Sequence, residues 1–147
     1  MKGQIDIEAI KQELYDQIKA RKANCFHSMD PRFIDYIPGK SLTIGFPVKE
    51  TYLNPSRGMQ GGLITAAFDN VFGALCHFES KEEAIATIDI STTYQRPITM
   101  GDELIVNVGI KSMGKTIVHM CGEAYNKEGK LVATSTTNFI LLKSKNK

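Results

Sequence analysis

The chain has 147 residues, with 18 Lys and Arg against 16 Asp and Glu, for a formal net charge of +2. That length suits one domain able to bury about two thirds of the surface its unfolded form exposes. Apolar residues at 42% and charged residues at 23% are ordinary for a soluble globular protein, and without a Lys/Arg stripe beyond Lys143, Lys145 and Lys147 nucleic-acid binding is not indicated.

The first residues, MKGQIDIEAIKQELYD, lack the basic-then-apolar order of a signal peptide. Cys25, Cys76 and Cys121 are widely separated, with no CxxC or Cys/His spacing that would hold zinc, so a reducing, cytoplasmic setting is expected. Ile7, Ile10, Leu14 and Ile18 recur at helical spacing and predict an amphipathic surface helix over 7–20. Residues 23–39 hold two prolines and no sustained period, which supports a short helix or irregular loop.

From Ser41 the period changes to two: Leu42, Ile44, Phe46 and Val48 predict a strand, with Pro47 marking an edge or its end. A polar loop, TYLNPSRGMQ, leads into a long apolar helix over 59–78 that carries Asp69, Asn70 and His77; at that polarity it is a core helix rather than a membrane span. Four further strands follow in series: Ile88, Ile90, Thr92 and Tyr94; Leu104, Val106, Val108 and Ile110; then, after the SMGK turn, 116–126; and, after KEGK, 131–142. One α+β unit is expected, its antiparallel meander packed on the helix. Residues 1–39 form a helix and loop on the domain, 40–142 the domain, and 143–147 a basic, solvated tail.

Projected at 100° per residue, Ile64, Ala67, Phe68, Val71, Phe72, Ala74, Leu75 and Phe78 form one broad apolar face. On the other side Asp69 has small neighbours, Thr65, Ala66, Gly73 and Cys76, where a solvated helix would carry long polar side chains. A subunit or a ligand is expected to approach there, since Gly73 in a helix interior costs roughly 1 kcal/mol relative to alanine. A carboxylate so placed is a candidate for acid, base or nucleophilic work. The plainer possibility is that Asp69 accepts hydrogen bonds and fixes packing.

Gln60, Gly61 and Gly62 fall where this helix begins. Unpaired N–H groups point outward there, the dipole favours negative charge, and the missing side chains admit a carbonyl, as in an oxyanion hole; two glycines can also simply negotiate a turn. The rise from Gly61 to Asp69 is roughly 12 Å, too far for both to touch one reacting group. Two such helices antiparallel about a twofold axis would bring Asp69 of one beside Gly61 of the other.

The run Asn54, Gly58, Gln60, Gly61, Gly62, Asp69, Gly73, followed by TIDISTTYQRP, GDELIVNV, SMGK and EGKLVATST, resembles the phenylacetate-pathway (PaaI-type) branch of the hotdog-fold acyl-CoA thioesterases over about residues 40–142. The resemblance implies a long central helix wrapped by a curved antiparallel sheet. It also implies homodimers joined edge to edge, or dimers of dimers, with acyl-CoA sites between subunits and no metal or organic cofactor. Position by position, Gly61 N–H would polarise the thioester carbonyl, and Asp69 of the other subunit would attack it or activate water. Asn54 would support the carbonyl or loop, and Thr87 would place a hydroxyl near the water. Gly62, Arg96, Gly114 and Lys115 are candidates to meet the CoA moiety, and Lys111 its phosphates, although Arg96, Lys111 and Lys115 are each more readily plain surface charges.

This branch usually has His where the chain has Gln60; an amide can donate to a carbonyl but cannot carry a proton as imidazole does. A non-catalytic acyl-CoA binder therefore stands as an alternative. A hydratase or dehydratase ranks behind it, because the nearby helix histidine, His77, is two turns beyond Asp69. His27, His77 and His119 have no partners at metal spacing and are expected in core or surface roles.

Overall fold

The computed structural model describes residues 6–20, 23–82 and 84–143. The side chains of Ile7 and Ile18 and the tail residues Lys145 and Lys147 lie outside the described residues. In chain order the elements are α1 (Ile7–Ala20), α2 (Asn24–Ser28), β1 (Arg32–Ile37), β2 (Ser41–Pro47), a single 3-10 turn (Glu50–Tyr52), α3 (Gly61–Ser80), β3 (Ile85–Tyr94), β4 (Glu103–Met113), β5 (Ile117–Tyr125) and β6 (Leu131–Leu141).

The strands form one antiparallel sheet in the order β1-β2-β4-β5-β6-β3, and α3 packs on its inner face. Irregularities in four of the five ladders help bend it round the helix. This is the hotdog arrangement. Ile64, Ala67, Phe68, Val71, Phe72 and Leu75 are buried against the sheet. They meet the inner faces of the central strands, where Leu42, Ile44, Val106, Val108, Val118 and Met120 are buried in turn. At Gly122 of β5 a Cβ would fall 3.0 Å from Phe68 and 2.9 Å from Val108, so the helix is seated where a side chain is missing.

Three features differ from the sequence expectation. Residues 32–37 form a strand, where the sequence suggested only a short helix or loop over 23–39. Its register slips between Phe33 and Asp35, so Ile34 interrupts the alternation that would have betrayed it. Next, the strands after α3 are not a serial meander: β3 crosses to the far edge and pairs with β6, while β4 pairs with β2. Finally, Cys76, projected beside Asp69, is fully buried, so the core wraps further round the second half of α3 than its apolar stripe suggests. That burial pushes the Cys76 thiol up to about 11. Pro47 closes β2 but not at an edge, because β1 lies outside it.

The N-terminal helices cover one end of this unit. Leu14 of α1 is buried, Phe26 of α2 stacks on Phe33 and meets Phe46 at a tilt, and Tyr15 makes an edge contact with Phe33. Tyr36 of β1 donates to Glu79 near the end of α3, and Gly39 N–H donates to the same carboxylate oxygen at 2.9 Å. No helix among the described residues is long and apolar enough to cross a membrane.

Candidate active site

The start of α3 is held by backbone. Gln60 is the N-cap residue, and its N–H donates to Tyr52 O at 2.8 Å. Leu63 and Ile64 N–H turn back to Gln60 O at 3.0 and 3.1 Å, and the N–H groups of Gly61 and Gly62 are first-turn donors with no acceptor inside the helix. The Gln60 side chain is exposed and makes no capping hydrogen bond.

Asn54 closes the preceding loop. Its N–H donates to Gly58 O at 2.7 Å and its Oδ1 accepts from Gly58 N–H at 3.1 Å. One end of the carboxamide is thereby fixed, and the other is left as an amide donor. Asn54, Gly58, Gly61, Tyr94 and Arg96 line one cavity of about 370 Å³.

Tyr94 was not anticipated as part of this cluster. Its hydroxyl donates to Gly61 O at 2.7 Å and lies 2.7 Å from Thr65 Oγ1. The ring sits so close to Gly61 that an added Cβ would be 2.9 Å from its Cζ. Glycine at 61 is therefore a matter of space, because Tyr94 occupies the place a side chain would take. The sequence signal was available in the strand phase: Tyr94 shares the inner face with Thr92 and Ile90, which faces α3.

Asp69 lies two turns further on, half-buried, and its Oδ1 accepts from Thr87 Oγ1 at 2.8 Å. Thr87 precedes the register slip between Thr87 and Asp89, and it shares its ladder position with Phe139, whose side chain is buried. The irregularity lets Thr87 face the helix while Ile88 turns outward, 53% exposed. One bond fixes one oxygen of the carboxylate.

Asp69 opens into a separate cavity of about 300 Å³, shared with Leu14 of α1, Phe26 of α2, Gly73 and Ala74 of α3, and Ile85 of β3. In one chain the donor half and the carboxylate half thus face different spaces. Asn54, Gly61 and Arg96 come together, and so do Asp69 and Thr87, but the two groups do not meet. Arg96 donates to Leu131 O at 3.4 Å. Gly114 and Lys115 belong to the β4–β5 hairpin, where Gly114 N–H donates to Ile117 O at 2.9 Å. That hairpin adjoins the end of β6, whereas Arg96 adjoins its beginning, so these residues lie at opposite ends of the sheet. The histidines are apart as well: His27 meets the Tyr15 ring, His77 Nδ1 is 2.6 Å from Glu82 O, and His119 Nδ1 is 3.0 Å from Asn138 Oδ1.

Residues 59–133, which contain α3 and most of the sheet, match the thioesterase superfamily. The chain belongs to this family. Human acyl-coenzyme A thioesterase 13 is 26% identical over 129 residues, a span covering 85% of this chain and 91% of that protein. The fold is shared with mouse thioesterase superfamily member 2, at a TM-score of 0.80 and 22% identity, over 90% of this chain and 98% of the other. It is shared also with the E. coli PaaI protein of the phenylacetic acid degradation operon, at 0.78 and 20%, over 90% and 96%.

Proposed function

We propose that this thioesterase hydrolyses acyl-CoA thioesters in sites completed by two copies of the chain. The observation that carries this reading is the division of α3: helix-start donors open on one cavity, and the carboxylate on another. A twofold partner supplies the missing half of each. The outer edge of β3, which among the described residues pairs only with β6, is where a second sheet would join. The acyl-CoA part follows the named activity of the human relative.

In this mechanism Gly61 N–H, with the Asn54 amide beside it, stabilises the oxyanion formed as the thioester carbonyl becomes tetrahedral. Asp69 of the other protomer either takes a proton from the attacking water and passes it to the departing CoA sulfur, or attacks the carbonyl carbon to expel CoA and form an acyl anhydride that water then hydrolyses; both routes end in the free acid, CoA and the regenerated carboxylate. Thr87 holds one carboxylate oxygen, which orients the other toward the substrate. Tyr94 pins the Gly61 carbonyl and so fixes the first turn. Gln60 can donate to the carbonyl but moves no proton. Gly62 and Arg96 meet the CoA moiety beside the donors, and Gly114 and Lys115 of the other protomer meet it from across the interface. The exposed Cys25, the half-buried Cys121 and the sealed Cys76 are free thiols, which suits the reducing cytoplasm.

Complementation tests the shared site. An Asp69→Asn protein and a Gly61→Val protein should each be nearly inactive in assays of free thiol release from aryl- and medium-chain acyl-CoAs. Co-expressed, their hybrid dimers hold one intact site and one doubly damaged site, so about a quarter of the parent activity should return. No recovery from verified hybrid dimers would place both residues in a site within one chain and end this reading.

A further inference from the structure

Gly73 stands one helical turn after Asp69, where side-chain positions are about 5–6 Å apart on one face. Both residues line the cavity of about 300 Å³. Among the described residues, a Cβ added at Gly73 would meet only Phe139 Cε2, at 3.8 Å, which is ordinary contact. Gly73 thus differs from Gly61 and Gly122, where neighbouring atoms already fill the space. No close packing among the described residues calls for glycine here, yet glycine in a helix interior costs about 1 kcal/mol relative to alanine. What its absent side chain leaves is open volume beside the carboxylate. Leu14 and Phe26, both buried, add apolar wall from the N-terminal helices, and Ala74 and Ile85 continue it. At about 300 Å³ the space lies at the small end of ligand pockets.

We propose that Gly73 is a specificity-determining residue: the space over it receives the part of the acyl group next to the thioester carbonyl, and the chamber selects compact, bulky acyl groups, aryl or branched, over long straight chains. This rests on Asp69 being the acid of the thioesterase site. The walls reach the chamber from α1, α2, α3 and β3, with Leu14 and Phe26 among them.

The test compares the parent with Gly73→Ala and Gly73→Leu, using an aryl-acetyl-CoA, acetyl-CoA and a long straight-chain acyl-CoA. The alanine variant should keep or raise Tm, because its Cβ has room and alanine favours the helix. The ratio of kcat/KM for the aryl substrate over acetyl-CoA should fall about tenfold with leucine and less with alanine. Calorimetry with analogues in which methylene replaces the thioester sulfur should show the same loss of aryl preference in binding. If both variants fold and leave the aryl-to-acetyl ratio within about twofold of the parent in turnover and in binding, the proposal is overturned. A parent that turns over no acyl-CoA would defeat the hydrolytic reading instead, and the analogue measurement would still decide the role of Gly73.

Discussion

The two sides of α3 use the same twenty residues differently. Toward the sheet, Ala67, Phe68, Val71, Phe72 and Leu75 are fully buried. On the other side Gly61, Thr65, Asp69 and Gly73 remain half-open. Phe68 presses into Gly122, while Gly73 leaves its own space empty. A change on the first side alters how much protein is folded; a change on the second alters what the folded protein does. Each measurement below either keeps those two effects apart or shows that they mix.

The largest separation is expected from Asp69→Asn. The amide keeps the size of the side chain and can still bond with Thr87, but it neither attacks a carbonyl nor takes a proton from water. A fall in kcat of about a thousandfold or more is expected with little change in Tm, roughly 4 kcal/mol of transition-state stabilisation. Stopped-flow thiol release and a thermal melt on the same preparation check it. A variant that lost Tm in proportion to activity would place Asp69 among the packing residues.

Phe68→Ala is the opposite case. Phe68 is fully buried, stacks on Phe72 at 5.9 Å and fills the gap over Gly122. Its truncation is expected to cost about 3–5 kcal/mol in urea unfolding, with kcat per folded molecule close to that of the parent. A large loss of kcat in fully folded protein would mean that the sheet-facing packing tunes the site directly.

Thr87→Ala should have a smaller effect on rate. It removes the hydroxyl that donates to Asp69 Oδ1 and leaves the carboxylate free to turn. A decrease in kcat of about tenfold is expected, with KM nearly unchanged and Thr87→Ser restoring most of it. Equal losses in the serine and alanine variants would point to the methyl group and packing, not to orientation of the acid.

These contrasts also show how far sequence patterning reaches. The apolar stripe of α3 was readable because a helix facing a sheet must bury a repeating face, and Asp69 stood out because that stripe and its small neighbours left it unexplained. Thr87 was named only through family resemblance, as a hydroxyl near the water, and its bond to Asp69 was not foreseen: position 87 precedes a register slip, and local alternation does not say which way such a residue points. β1 was hidden for the same reason at Ile34. The crossing of β3 to the far edge had no local signal, since an alternating strand pairs with any neighbour its connections allow. Tyr94 read as an ordinary strand aromatic. Its place on Gly61 depends on the curvature that brings the end of β3 over the start of α3, and no single segment encodes that.

The mildest test concerns two cysteines. Cys76 lies on the Asp69 side of α3 but is sealed by the core two turns further on, and burial raises its thiol from 9.0 to about 11. Cys25 of α2 is exposed and lines the cavity with Asp69. At pH 8 a maleimide should label Cys25 in the native protein and reach Cys76 only after unfolding, because both access and thiolate are missing there. The raised value also fixes the sign of a stability effect. The native state keeps the Cys76 proton up to about 11, and the unfolded chain releases it near 9.0. This thiol's contribution is therefore complete below pH 9.0 and declines as pH climbs toward 11. Cys76→Ala should flatten that alkaline decline, measured by urea midpoints across the window, at the cost of a small cavity. Rapid native labelling of Cys76 would show that the sealed second half of α3 opens, and the division between packing and chemistry along this helix would then be one of degree.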